Sequence, residues 1–245
     1  MTFPQLMVYP VTKRQIRRTV LNVLGDGRTD LLGDADAAAI EWEIVARGMT
    51  AAEWGSVQTL FTAVAGRWQA FTFLDPVGNL LAQSENFAVS PWVVGPLLSL
   101  TSGVVDPLGT SRATGVVNTG AAAASIAQSL PVPGTFQYCL SVWVRGGAVT
   151  LTIGSSSKTF AATAWWTRVS MTGSGTTFAV SLDAGASADL FGMQVEAQIA
   201  PSDYKQTGTR GGVYPKARFG DDALTVTAQG TDIFDAVIRI VNMEN

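Results

Sequence analysis

The chain has 245 residues, 47% hydrophobic and 14% charged, with a formal net charge of −3; this is a globular composition with ample length for a core. That charge offers no basic footprint for neutralising phosphates, so no specific nucleic-acid partner is expected. Histidine is absent and Cys139 is the single cysteine, which removes histidine-activated nucleophiles, histidine-ligated metals, intramolecular disulfides and multi-cysteine metal sites together.

The N-terminal stretch carries Lys13, Arg14, Arg17 and Arg18 where a signal peptide would need an apolar core. Arg14 to Leu24 reads as a strand closed by the hairpin signal Gly25-Asp26-Gly27. Ile40 to Arg47 alternates, with Ile40, Trp42, Ile44 and Ala46 on one face and Glu41, Glu43 and Arg47 on the other. Thr50 and Glu53 form a capping box, and Trp54, Val57, Leu60, Phe61 and Val64 follow at helical spacing up to Gly66. Trp42 and Trp54 therefore belong to a core. Gln69 to Leu74 reads as a strand stopped by Asp75-Pro76.

The apolar run Phe87 to Leu100 is broken by Ser90, Pro91, Gly95, Pro96 and Ser99, so no membrane span is expected. Further strands are predicted over 136–145, 149–153, 165–172, 178–182 and 190–196, separated by Gly- and Ser-rich turns, the pattern of an antiparallel sandwich or jelly roll. Two more are predicted over 223–227 and 234–241. Charge density marks the organisation. Residues 1–81 carry fifteen charged side chains, residues 82–207 eleven, and residues 208–245 nine. The outer stretches resemble each other, and two terminal strands cannot make a domain alone. The expectation is a discontinuous domain, 1–80 with 209–245, interrupted by a sandwich over 81–208.

The run Gly66-Arg67, Phe71-Thr72-Phe73, Asp75-Pro76 behind a strand and an amphipathic helix resembles the distal tail protein family of long-tailed phages and gene transfer agents. Phe219-Gly220-Asp221-Asp222 with two following strands is similar to that family's return segment. The resemblance implies a small β-barrel plus one amphipathic helix, assembled as a hexameric ring between the tail tube protein and a baseplate hub or tail fibre protein. The middle stretch resembles a carbohydrate-binding-like β-sandwich of phage tail proteins. It does so through Asn79 to Phe87 with Trp92, Asp106-Pro107-Leu108-Gly109-Thr110, Trp166-Thr167-Arg168, Gly192 to Glu196 and Pro201 to Thr207. Asn79 to Phe87 and Gly192 to Thr207 then read as neighbouring strands that zip the insert's ends together.

A glycan site favours aromatic platforms. Trp143 and Arg145 alternate away from the Tyr138, Leu140, Val142, Val144 face. Trp165 and Trp166, if in a strand, face opposite sides, with Trp166 in the core and Trp165 outside. Trp143, Arg145 and Trp165 are therefore the glycan-binding candidates. Among the acids, Asp183, Asp189, Glu196 and Asp203 show no spacing that selects a glycosidase dyad. Asp106 and Glu85 are candidates for a calcium ion, yet no run resembles a dedicated calcium loop. No enzyme activity, cofactor or metal site is expected. Lys13, Arg14, Arg17 and Arg18 are candidates to meet Asp221 and Asp222, or Asp34 and Asp36, on the next subunit of a ring. The reading is a virion structural protein of the tail tip, made in the host cytoplasm and forming a homo-oligomer. The alternative is a host-surface glycan-binding adhesin acting through the sandwich.

Overall fold

The computed structural model describes residues 1–6 and 9–243, and the side chains of all of these except 35–37. In chain order the first elements are β1 (Val11–Val23), β2 (Thr29–Met49), α1 (Ala51–Ala63) and β3 (Phe71–Leu74). Next come β4 (Val93–Val94), β5 (Leu98–Val104), β6 (Ala113–Asn118), β7 (Ala124–Ser129), β8 (Tyr138–Arg145), β9 (Val149–Ile153) and β10 (Ser156–Phe160). The last are β11 (Thr167–Gly173), β12 (Thr177–Leu182), β13 (Ser187–Glu196), β14 (Val213–Phe219), β15 (Val226–Gly230) and β16 (Ile233–Met243). The protein is mainly β, and the chain divides into two compact units, residues 1–73 with 214–245 and residues 74–213.

The discontinuous unit is built on one sheet in the order β1-β2-β16-β14-β3, with β15 also paired to β16. Among the described residues it is an open sheet, not the expected barrel. The physical reason lies at its edges. β1 pairs only with β2, and the β3 edge is taken by the N-terminus, where the Phe3 amide donates to the Thr72 carbonyl at 2.9 Å. Alternation on β2 and β16 puts Trp42, Ile44, Ile238 and Ile240 on one face, where they meet Val57 and Leu60 of α1 and Phe71, Phe73 and Phe219. The capping box forms: the Glu53 amide donates to Thr50 Oγ1 at 3.3 Å and the Thr50 amide to Glu53 Oε2 at 2.9 Å. Trp42 is fully buried, and Trp54 is half-buried against the same cluster.

One part of this unit has no core. β16 covers β2 only from Ala39 to Met49. Beyond that, Arg18 to Val23 pairs with Thr29 to Asp34 as a two-stranded ribbon, past a register shift between Ile16 and Arg18. Leu21, Val23, Leu31 and Leu32 on it are 60%, 68%, 66% and 56% exposed.

The second unit is an antiparallel sandwich of two five-stranded sheets, β10-β9-β12-β7-β4 and β11-β8-β13-β6-β5. Its core contains Tyr138, Leu140 and Val142 of β8, Leu151 and Ile153 of β9, Phe178 and Val180 of β12, and Leu190 and Val195 of β13. Cys139 faces away from that core but is still buried, which pushes its thiol up to about 11 with help from the nearby Glu196 carboxylate. The unit's two ends are zipped together as expected, though by main-chain bonds outside any named strand pair: the Leu80 amide donates to the Val195 carbonyl at 2.8 Å and the Met193 amide to the Ser84 carbonyl at 3.0 Å. Asn79 Nδ2 donates to the carbonyls of Met193 (3.0 Å) and Lys205 (3.3 Å), while Asn79 Oδ1 accepts from the amides of Leu81 (3.1 Å) and Val195 (3.0 Å). The Gly212 amide donates to the Asn79 carbonyl, and a Cβ on Gly211 would lie 2.1 Å from the Leu80 carbonyl oxygen. These contacts carry the closure out to Leu74 and Val213, so the expected limits at 81 and 208 fall inside the unit.

Candidate functional site: the outer face of the sandwich

The face of sheet β11-β8-β13-β6-β5 turned away from the core is set by the alternation of β8, which presents Ser141, Trp143 and Arg145 outward. Cross-strand register adds Arg168 opposite Trp143, Ser170 opposite Ser141, and Asp189 opposite Arg145. One part of this face is covered by the segment after β13. The Tyr204 ring lies 5.4 Å from the Phe191 ring, and its hydroxyl donates to Glu85 Oε1 at 3.0 Å. Gly192 makes this possible: it sits at φ +63° in the β13 bulge, and a Cβ there would lie 2.9 Å from the Tyr204 ring. Lys205 and Ser202 bind the buried Glu196. Burial would raise the Glu196 carboxyl, but its hydrogen bonds to Ser202 and Gln194 and the Lys205 ammonium hold it below the ordinary glutamate range. Arg168 bonds Ser202 and Ser141, while its buried Nε has no hydrogen-bond partner among the described residues.

The other end of the face is open. Arg145 donates to Asp189 Oδ2 through Nη2 at 2.7 Å and Nε at 3.0 Å, and its guanidinium lies 4.7 Å from the Trp166 ring centroid. The Trp166 indole N–H donates to the Val105 carbonyl at 3.2 Å. Trp166 thus lies half-buried outside, not in the core; β11 begins only at Thr167, so no strand alternation separates it from Trp165. Trp165 is 82% exposed. Its carbonyl accepts from the hydroxyls of Thr163 (2.8 Å) and Thr167 (3.3 Å). The structure therefore brings Arg145 together with Trp166 and Asp189, with Trp165 next in the chain. Trp143 is one outward position further along β8 and half-buried.

Asp189 and Trp166 were not among the sequence candidates. Asp189 was legible in principle, as the outward residue of an alternating Asp189-Leu190 step, but its pairing with Arg145 needs the register. For calcium the geometry is unfavourable: Arg112 Nη1 lies 3.1 Å from Glu85, and Arg112 Nε 3.4 Å from Asp106, so a guanidinium already serves both carboxylates. Among the described residues no cluster of three acidic or cysteine ligands is present.

The charged candidates of the other unit are largely used within the chain. Lys13 Nζ lies 5.7 Å from the Trp42 ring and 5.9 Å from the Tyr214 ring. Arg17 Nη1 donates to the Ile16 carbonyl at 3.0 Å, and Arg18 pairs with Asp34 at 3.6 Å. Asp222 accepts from the Arg67 amide at 2.9 Å, and Asp221 lies 3.9 Å from Arg239. Arg14 is exposed on β1 opposite Glu41. Asp36 lies outside the described side chains. Asp221 and Asp222 also line, with Arg47, Asp235, Val237 and Arg239, an open groove of about 770 Å³.

No family model matches the chain, and no curated protein sequence matches it. Among solved structures it is similar to the N-terminal xylanase 10B of Clostridium thermocellum, with its CBM22-1 and GH10 modules in complex with xylohexaose: 15% identity, 50% of this chain, 28% of that one, TM-score 0.38. It is similar to the enzymatically active domain of bacteriophage CBA120 tailspike protein 4, at 13% identity over 51% of this chain and 22% of that one, TM-score 0.37. A third is the xylan-binding CBM22-1 domain of Paenibacillus barcinonensis Xyn10C, at 15% identity over 54% of this chain and 99% of that one, TM-score 0.38. The chain thus spans under a third of the first two.

Proposed function

We propose that this chain is a non-enzymatic structural protein of a phage tail tip, assembling as a hexameric ring through the discontinuous unit and carrying the sandwich as an accessory. Its partners are further copies of itself, the tail tube protein, and a hub or fibre protein. The observation that carries the reading is the ribbon of β1 and β2. An isolated two-stranded hairpin is marginally stable in water, yet this one extends about 20 Å beyond the sheet at 3.4 Å per residue. It also exposes large aliphatic side chains, among them Leu21, Val23, Leu31 and Leu32, and two strand edges that are unpaired among the described residues. Such edges are a liability that another chain can cover, and a repeated heterologous contact between copies forms a ring where its rotation closes.

The test combines cryo-electron microscopy of intact tails with mass photometry of the purified protein and of a variant in which residues 19–33 are replaced by a two-residue turn. The expected result is a rotational ring at the tail tip and loss of assembly in the variant, with its circular dichroism otherwise unchanged. A position away from the tip, or assembly indifferent to the ribbon, refutes the reading.

A second reading, adhesion to a host-surface glycan through the sandwich, is favoured by one feature. Trp165 is 82% exposed in a loop that hydrogen bonds hold in place.

A further inference from the structure

We infer that the open end of the sandwich's outer face is a binding site for a neutral hexopyranose oligosaccharide, with Trp165 as the stacking platform and the Arg145–Asp189 pair as the hydroxyl-binding group. The inference rests on the second reading above and is independent of ring assembly.

A large exposed aromatic on a surface loop has no reason of its own to be held still. Here two threonine hydroxyls, Thr163 and Thr167, donate to the Trp165 carbonyl. The Gly146 amide donates to the Thr163 carbonyl at 2.7 Å, tying the loop back to the end of β8. The next residue is anchored twice, by its N–H on Val105 and by its ring on Arg145. The loop's ordering cost is met before any ligand arrives, which is how a shallow site gains affinity.

The chemistry next to this loop suits a sugar. Arg145 and Asp189 are 31% and 27% exposed, so donor and acceptor are both within reach of solvent. Arg145 spends two N–H groups on one Asp189 oxygen, which leaves Asp189 Oδ1 as an acceptor and other guanidinium N–H groups as donors. Adjacent hydroxyls of a sugar ring match that pairing. Gly115 is the cross-strand partner of Asp189, and a Cβ there would only just touch Asp189 Oδ1 at 3.4 Å, so the floor beside the pair carries no side chain. The two charges cancel at 2.7 Å, so a sugar carboxylate gains no net attraction, and a neutral glycan fits better than an acidic one. Consecutive Cα atoms are about 3.8 Å apart. Trp165 therefore enters the same loop one Cα step from Trp166, whose ring stacks on Arg145.

Calorimetric titration of the full-length protein tests this, with hexasaccharides of cellulose, β-galactan, α-mannan and chitin as neutral probes and oligogalacturonate as an acidic one. At least one neutral probe should bind, and oligogalacturonate should bind more weakly or not at all. Trp165→Ala should weaken that binding by at least about tenfold, equivalent to 1.4 kcal/mol. Asp189→Asn should weaken it less. Trp68→Ala, which removes a tryptophan 72% exposed in the other unit, should leave it unchanged. Absence of binding to every probe, neutral and acidic, at millimolar concentration overturns the adhesion reading together with this site, while binding of oligogalacturonate alone overturns the site and leaves the adhesion reading standing. Binding that survives Trp165→Ala and Asp189→Asn overturns the site and leaves the adhesion reading standing.

Discussion

Asn79→Ala should unfold the sandwich unit selectively. Asn79 is 1% exposed and its side chain makes four hydrogen bonds, to the amides of Leu81 and Val195 and the carbonyls of Met193 and Lys205. Alanine removes all four and leaves both amides without partners. A buried group stripped of its partner costs about 1–3 kcal/mol. The two amides alone therefore give about 2–6 kcal/mol, a large share of a stability that is typically about 5–15 kcal/mol. Asn86→Ala is the control: Asn86 is exposed and accepts one bond, from the Ala88 amide at 3.3 Å, so its loss should cost under about 1 kcal/mol. Because the chain has two compact units, a single melting curve would mix them. Native-state hydrogen exchange separates them. Amides of Ile126, Leu151 and Val180 in the sandwich should lose protection, while those of Ile44 and Ile238 in the other unit should not. Equal loss for Asn79→Ala and Asn86→Ala would refute the claim that this side chain closes the unit.

In α1, Leu60→Ala should cost about 2–5 kcal/mol as a large-to-small core change, while Gln58→Ala on the exposed side should cost well under about 1 kcal/mol; urea midpoints distinguish the two. The sandwich should also lose stability in acid. Burial raises Asp106 and Glu196, but bonds from Thr110, Leu108 and Arg112 to the first, and from Ser202 and Gln194 with the Lys205 ammonium to the second, hold both below their ordinary values. A depressed folded-state value stabilises above the unfolded one, so the contribution is intact at neutral pH. It falls away as pH drops through about 4 and below. Hydrogen exchange between pH 3 and 6 should show this at Ile126 and Val180. Thr110→Val and Ser202→Ala, which remove the hydroxyls that bond Asp106 and Glu196, should shift the loss to higher pH.

How much of this architecture the chain spells out depends on whether a strand has one wet face. β9 is read residue for residue, and β8, β11, β12 and β13 nearly so, because each alternates between the sandwich core and the outside. β2 shows the opposite case. Its Ile40 to Arg47 half alternates and is legible, whereas Thr29 to Gly33 is exposed on both faces, so no period is required of it. β10, with four of its five residues exposed, is hidden for the same reason. β5, β6 and β7 are rich in Ala, Ser, Thr and Gly, whose small side chains give weak contrast between faces. β14 carries Pro215, which reads as a break; it stands beside β16 all the same, with Arg218 and Phe219 at the paired end and Pro215 beyond it.

The outer face illustrates a different limit. Trp143 and Arg145 follow from the alternation of one strand, but a site requires neighbours, and neighbours come from register. Arg145 acquires Asp189 from a strand more than forty residues later and Trp166 from the loop ahead of β11. Applying strand alternation to Trp165 and Trp166 sent one inward because it assumed the strand began two residues too early. The side chain so misplaced is the one whose ring stacks on Arg145. An error of two residues at a strand boundary is invisible in the fold and decisive at a surface, since the fold needs only the core-facing half of the pattern. For this chain the core residues are therefore the secure part of the sequence reading, and the open end of the outer face is where structure adds the chemistry.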